Sequence, residues 1–283
     1  MREKTALVTG ANKGIGLEIA RQLGGKGFRL WLGCRDPGRG ERAAIELRKA
    51  GVDARALLLD VTSDASVAKA ASTFGEASNH LDVLVNNAGI DIGGFALPRE
   101  QRVDDIRAIY EVNTFGPIRV TQAFLPFLEK AGSARIVMMS SSLGSITSAL
   151  DPTSETYGVN RLGYNSSKSA LNMITVLFAK TLAAHGIKVN AANPGYTGTD
   201  LNEHHGPRTV EEGAAIAVRL ATIGPACPTA GFFRRPLQQP SPPRVVTAPG
   251  DRRLLVRFPG MRYRGGTFVR DGRFHGSRSL WHR

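Results

Sequence analysis

Short apolar runs alternate with stretches of helical period along the first 233 residues. Residues 5–9 (TALVT) form a compact β-branched run, followed by Gly10 and a helical pattern over 15–23. Further strand-like runs fall at 28–32, 54–59, 83–85, 135–139 and 187–191, with helical patterns over 41–50, 64–77, 103–112, 115–130 and 168–184. Thr209-Val210-Glu211-Glu212 has capping-box spacing and predicts a helix through Leu220. The strand-like runs do not alternate apolar with polar residues, as expected where both faces of a sheet are buried. Alternating β and α units of this kind predict an α/β fold: one doubly wound, Rossmann-type parallel sheet with helices on both sides.

The pattern stops near Phe233. Gln238-Gln239-Pro240-Ser241-Pro242-Pro243 reads as extended or coil, and 254–258 is the one strand-like piece after it. Charge marks the same boundary. The 283 residues hold 37 Lys+Arg against 24 Asp+Glu, a formal charge of +13. Twelve of those cations, all Arg, lie in 234–283 beside two Asp, so the body is close to neutral. A nucleic-acid role for the whole chain thereby loses its main support, and would rest on the tail alone. The expected organisation is a domain over 1–233 and an atypical Arg/Pro/Gly-rich C-terminal tail over 234–283.

The chain is long enough for a well-buried core. No apolar run approaches the ~20 residues of a membrane span, and the N-terminus lacks the pattern of a secretory signal. Cys34 and Cys227 alone make neither a disulfide framework nor a cysteine zinc site, and the adjacent His204 and His205 have no third ligand at plausible spacing. The expected setting is the reducing cytoplasm, with no metal and no membrane partner.

Thr9-Gly10-Ala11-Asn12-Lys13-Gly14-Ile15-Gly16 stands between the first strand and the first helix. Glycines there allow a sharp turn, close approach of a pyrophosphate and tight helix packing, and the helix N-terminus meets the negative charge. A ligand-free tight loop would read the same in isolation, but its place at the start of a βα series favours phosphate binding.

This loop, with Asn86-Asn87-Ala88-Gly89, Tyr164-x-x-x-Lys168 and Pro194-Gly195 in that order, resembles the short-chain dehydrogenases/reductases over residues 4–233. The chain looks most like the carbonyl-reductase-like members. The resemblance implies NADP(H) as cofactor, a small carbonyl or alcohol as substrate, and direct hydride transfer without a metal. It implies that Tyr164 exchanges a proton with the substrate oxygen, while Lys168 tunes Tyr164 and holds the nicotinamide ribose. Of Ser140, Ser141 and Ser142, alignment with the family's fifth strand puts Ser141 in the carbonyl-polarising role. It also implies a proton relay at Asn113, an adenine-side pair at Asp60 and Val61, and cofactor contacts from Gly10, Asn12, Lys13, Gly14, Ile15 and Gly16. Asn87, Ala88, Gly89, Pro194, Gly195, Thr197 and Thr199 complete that set. The second strand ends Leu32-Gly33-Cys34-Arg35. Arg35 stands where an NAD enzyme places an acid, and its planar fork suits a 2′-phosphate. Lys13 would add a second positive charge.

The chain departs from the family twice. Ser141 and Tyr164 are about ten residues further apart than usual, so 150–160 is read as an inserted loop near the site. Tyr157 lies inside it, but Arg161 stands where a lysine would be needed. The second departure is at Arg234, where the family's chain would be ending its last strand. The tail has no Lys, six Pro and six Gly, a composition that a GC-rich gene gives in a shifted frame. It is read as a frameshift or recent extension beginning near 226–234, with an Arg-rich binding tail as the rival reading. Family members often dimerise through the helix bearing Tyr164, and the insert bears on that surface, so monomer and homodimer both stay open. A nucleotide-binding regulatory or scaffold protein without turnover is the alternative function.

Overall fold

The computed structural model describes residues 2–94 and 96–234, and the backbone of 261–264 and 267–270. Chain order is β1 (Lys4–Thr9), α1 (Gly14–Gly24), β2 (Phe28–Cys34), α2 (Pro37–Lys49), β3 (Ala54–Leu58) and α3 (Asp64–Ala77), then β4 (Val83–Asn86), α4 (Val103–Tyr110) and α5 (Gly116–Lys130). It continues with β5 (Arg135–Met139), α6 (Ile146–Leu150), α7 (Leu162–Leu182), β6 (Lys188–Ala192), α8 (Val210–Ala221) and β7 (Phe232–Phe233). The seven strands pair in parallel in the order β3-β2-β1-β4-β5-β6-β7. This is the doubly wound sheet expected from the sequence.

The unbroken apolar runs are explained by a core on each face. Ala6 and Val8 of β1, Leu30 and Leu32 of β2, and Val83 and Val85 of β4 pack with α1, α2 and α8. The intervening Leu7, Trp31 and Leu84 pack with α3, α5 and α7 on the other face. There Trp31, Phe124 and Phe127 ring Phe74, with centroids 5.0–5.5 Å from it. Successive side chains of a strand point to opposite faces, so the central strands carry apolar residues at consecutive positions.

Several element ends differ from the sequence reading. The second helix starts at Pro37, four residues early, because Asp36 caps it through Arg39 N at 2.8 Å and Pro37 suits the first helical position. The helix expected from Lys168 starts at Leu162, which brings Tyr164 inside it. A π-helical turn, Glu111–Phe115, joins α4 to α5. The capping box at Thr209 forms as read. The seventh strand survives as two residues, Phe232 and Phe233, beside Ala191 and Ala192.

The chain divides into two compact units, Met1–Pro236 and Leu237–Arg283. In the second unit the described residues form an antiparallel hairpin, Met261–Arg264 with Thr267–Arg270. The sequence reading missed this hairpin, and its one strand-like piece, 254–258, lies outside the described residues. Among the described residues no helix is long and apolar enough to cross a membrane.

Candidate active site

Strand order reverses between β1 and β4, and ligands of such sheets bind outside the strand C-termini at this point. The register Val8↔Val85 sets the glycine loop beside Asn87. The Thr9 hydroxyl accepts from Asn87 N at 2.9 Å and Ala88 N at 3.0 Å, and Asn87 Nδ2 donates to Thr9 O at 2.9 Å. Gly10 turns the chain here with φ 64°, a conformation L side chains rarely adopt. The brace opens onto a cleft of about 740 Å³. Such a volume holds an extended cofactor and a small substrate.

The cleft is lined by Gly10, Asn12, Lys13, Gly14, Ile15, Gly16, Arg35, Asp60, Val61, Asn87, Ala88, Gly89, Tyr164, Lys168, Pro194 and Thr199. Four residues expected at the site do not line it. Thr197 is 4% exposed and turns its hydroxyl to Pro194 O at 3.3 Å. Gly195 packs beneath the Arg208 guanidinium. Asn113 is fully buried behind Gly89: its amide clamps Ile90 by accepting from N and donating to O, both at 2.9 Å, and donates to Ser167 Oγ at 3.1 Å. It sits in the π-helical turn. Ser141, the fourth, caps the 3₁₀ turn after β5, accepting from Leu143 N at 3.2 Å.

The three serines after β5 separate in space. Ser140 lines the cleft wall, but its hydroxyl donates to Asn172 Oδ1 at 2.6 Å. Ser142 starts the 3₁₀ turn. Ser141 acts on the Tyr164 phenol, favouring its ionised form. Gly144 closes the turn where a Cβ would stand 2.6 Å from the Lys168 backbone, so only glycine lets it rest on α7. This requirement carries no motif signal.

Tyr164 and Lys168 lie one turn apart on α7, with Lys168 Nζ 5.6 Å from the Tyr164 ring centroid. Lys168 is 5% exposed and donates to Met139 O at 2.8 Å. Burial lowers it from 10.5 to about 8, against the pull of Asp91. Burial raises Tyr164 to about 12, and the Asp91 charge adds to the rise, while Ser141 and Arg161 oppose it. Burial, the first of these causes, disfavours the phenolate. The Tyr164 phenol is held in its protonated form.

The Lys168 shift has a consequence for stability. Between pH 8 and about 10.4 the unfolded chain binds a proton there that the folded state does not, so stability rises with pH across that window. Above pH 10 the raised Tyr164 reverses the trend, since the folded state then keeps a proton the unfolded chain loses. In urea titrations the midpoint should climb from pH 8 to 10 more steeply for the wild type than for Lys168→Met. Parallel curves would contradict the assigned shift.

Sequence reasoning did not single out Asp91 or Arg161. Asp91 follows Ile90 after β4 and lines the cleft, and its Oδ2 pairs with Arg161 Nη1 at the return of the insert. Burial raises the carboxyl, with Arg161 and Lys168 opposing.

Lys13 is paired to Asp200, which also holds His204 Nε2 at 2.9 Å. The glycine loop is thus tied to the segment after Thr199, so the Lys13 charge is partly spent before any phosphate meets it. At the other end Arg35 is exposed, and its charge helps Thr62's two hydrogen bonds hold Asp60 below its ordinary value despite burial. Arg39 and Arg42 line the adjoining hollow with Lys13.

The family model described as short chain dehydrogenase matches residues 4–209. Short-chain dehydrogenase anuI of Penicillium roqueforti is 37% identical over 225 residues, spanning 77% of this chain and 88% of that protein. The (+)-neomenthol dehydrogenase of Arabidopsis thaliana is 35% identical, spanning 83% and 98%. NADPH-bound carbonyl reductase from chicken fatty liver superposes with a TM-score of 0.72 at 31% identity, over 83% of this chain and 97% of that one. A parallel sheet reversing at β1 and β4, a glycine loop braced by Asn87 and a Tyr164–Lys168 pair over the cleft accompany these matches, and the chain belongs to the short-chain dehydrogenase family.

Proposed function

We propose that the protein is an NADP(H)-dependent oxidoreductase of carbonyl-reductase type, interconverting a ketone or aldehyde and its alcohol. The observation that carries this reading is the Tyr164–Lys168 pair lining a cleft that begins at the glycine loop, with Ser141 acting on the phenol from behind the lining. The residues present fit a dinucleotide. At the start of α1, Lys13 makes no side-chain cap bond and the first turn has no acid, so its N–H groups are available to an anion. The caps of α2, α3 and α8 are instead filled by Asp36, Ser63 and Thr209.

When bound, the nicotinamide supplies or accepts the hydride at the carbonyl carbon. Tyr164 Oη donates the proton to the substrate oxygen in the reducing direction, which suits a phenol held protonated. Ser141 holds the carbonyl oxygen against Tyr164. Lys168 fixes the floor of the site through Met139 O and offers its remaining N–H groups to the ribose. Asn113 holds Ile90 and the Lys168 surroundings in place: its Oδ1 and Lys168 Nζ both lie within 4 Å of where a Gly89 Cβ would stand. Thr199 reaches the cleft from beside Gly14 and would contact the nicotinamide end, with Thr197 and Gly195 supporting that loop from behind.

The preference for NADP(H) rests on Arg35, Arg39 and Arg42 at the ribose end. Asp36, the acid that follows Arg35, is engaged in capping α2, with its pKa lowered by the bond from Arg39 N. Charge-assisted bonds of this kind are worth ~1.5–3 kcal/mol each. Arg35→Ala should therefore cut kcat/KM for NADPH about tenfold or more and leave that for NADH nearly unchanged. Wild-type efficiency with NADH equal to that with NADPH would refute the preference. A reducing compartment such as the cytoplasm suits two free thiols, Cys34 and Cys227. None of the residues assigned here lies beyond 233, and the tail is proposed to stand outside the functional domain.

A further inference from the structure

Among the described residues lining the cleft, Asp91 carries one oxygen that neither the fold nor the reaction uses. The Asp91 side chain is only 4% exposed. Its Oδ2 is taken by Arg161, and its Oδ1 has no hydrogen-bond partner. A buried acceptor left in that state is costly, the more so on a carboxylate. Asp91 lines the same cleft as Tyr164 and Lys168, and its charge acts on both. Its neighbours Ile90 and Ile92 are apolar, so no other side chain beside it on this loop offers a donor. The substrate oxygen meets Tyr164 in the reading above, and the rest of the substrate then lies in the cleft that Asp91 also lines.

We propose that Asp91 is a substrate-recognition residue: its Oδ1 accepts a hydrogen bond from a hydroxyl group that the carbonyl substrate carries close to the carbonyl. The assignment rests on the carbonyl-reductase reading and narrows it to hydroxylated ketones or aldehydes. A hydroxyl fits better than an ammonium. Arg161 already neutralises the carboxylate and Lys168 lies near it, so a cationic substrate would meet two positive charges. Arg161 is then a positioning residue, which holds Asp91 by Oδ2 from the end of the insert and leaves Oδ1 for the substrate. A site that hydrogen-bonds a substrate hydroxyl rejects the analogue without it strongly, because the buried group is left unpaired.

The test compares two ketones of nearly equal shape, α-hydroxyacetophenone and propiophenone, which differ by hydroxyl against methyl. The wild type should favour the hydroxy ketone in kcat/KM by at least about tenfold. The matching alcohols, styrene glycol and phenylpropanol, titrated onto the protein with NADP, should show the same preference in binding. In Asp91→Asn, Arg161 claims the amide oxygen and an NH₂ faces the cleft. That NH₂ can still donate to the hydroxyl oxygen, but without the carboxylate's charge, so this isosteric variant should weaken the preference through the hydroxy ketone alone. Asp91→Leu should abolish it.

Equal use and equal binding of each pair by the wild type would overturn the proposal. So would a variant that weakens both ketones alike at an unchanged ratio, since that is the signature of a residue that only anchors the insert. Should neither ketone turn over while the glycol still binds better and loses that advantage in Asp91→Leu, the recognition role stands and the carbonyl-reductase reading falls.

Discussion

Replacing Tyr164 by Phe should lower turnover by ~10²–10⁴-fold, the usual worth of a general acid–base group. The change removes one oxygen and little else. The ring stays beneath the Lys168 ammonium, 5.6 Å from its centroid, and the helix that carries both is unaffected. Ser141 keeps its bond from Leu143 N. NADPH affinity, measured by fluorescence titration, should stay within about threefold of wild type, because the phenol acts on the proton rather than on the phosphates. The loss therefore belongs in kcat. Turnover near wild type would show that another group donates the proton, and would remove Tyr164 from the mechanism.

Gly16→Ala should be the most damaging of the small changes to the cofactor loop. A Cβ there would stand 2.4 Å from Asn87 Nδ2 and 2.5 Å from Gly10 O, both inside van der Waals contact. Neither neighbour can yield freely. Asn87 Nδ2 is held by Thr9 O, and Gly10 is fixed in a left-handed turn at φ 64°. Overpacking of this kind costs ~1–3 kcal/mol. In a domain of this size that is a fall of ~2–4 °C in Tm per kcal/mol. Because the strain falls on the loop itself, NADPH affinity should drop more than tenfold, well beyond what the loss of stability explains. Thermal denaturation with and without NADPH checks both parts. An unchanged cofactor-induced rise in Tm would contradict the placement of the dinucleotide.

The sheet was legible because burial on both faces writes itself into the strands: Ala6-Leu7-Val8 has no polar residue to spare for solvent. Helix starts were less legible where a cap, not periodicity, sets them, as at Asp36-Pro37. The start of α7 was hidden by the insert, whose turns run on to Arg161. Motifs located the glycine loop, Asn87, Tyr164 and Lys168, since fixed short spacings on one element survive as sequence. Three serines in a row could not be told apart by composition, and separated only by where their hydroxyls turn. Thr197 and Gly195, which the motifs also named, sit behind the residues that line the cleft. They gave no notice of Asp91 and Arg161, because that pair joins positions 70 residues apart and no local rule links them. The same holds for the direction of the Tyr164 shift. Spacing showed a cation one turn away, but the outcome depends on burial and on the Asp91 charge.

The central claim is that this cleft reduces a carbonyl with hydride from the cofactor and a proton from Tyr164. The most direct measurement supplies the full-length protein with NADPH deuterated at the nicotinamide carbon and a panel of simple and hydroxylated ketones and aldehydes. NADPH loss and alcohol formation are followed together, for the wild type and Tyr164→Phe. The expected result is one alcohol formed per NADPH consumed, deuterium at the former carbonyl carbon, and near-complete loss of both in Tyr164→Phe. Tight binding of NADPH with no turnover of any carbonyl, or turnover equal in the two proteins, would contradict the claim.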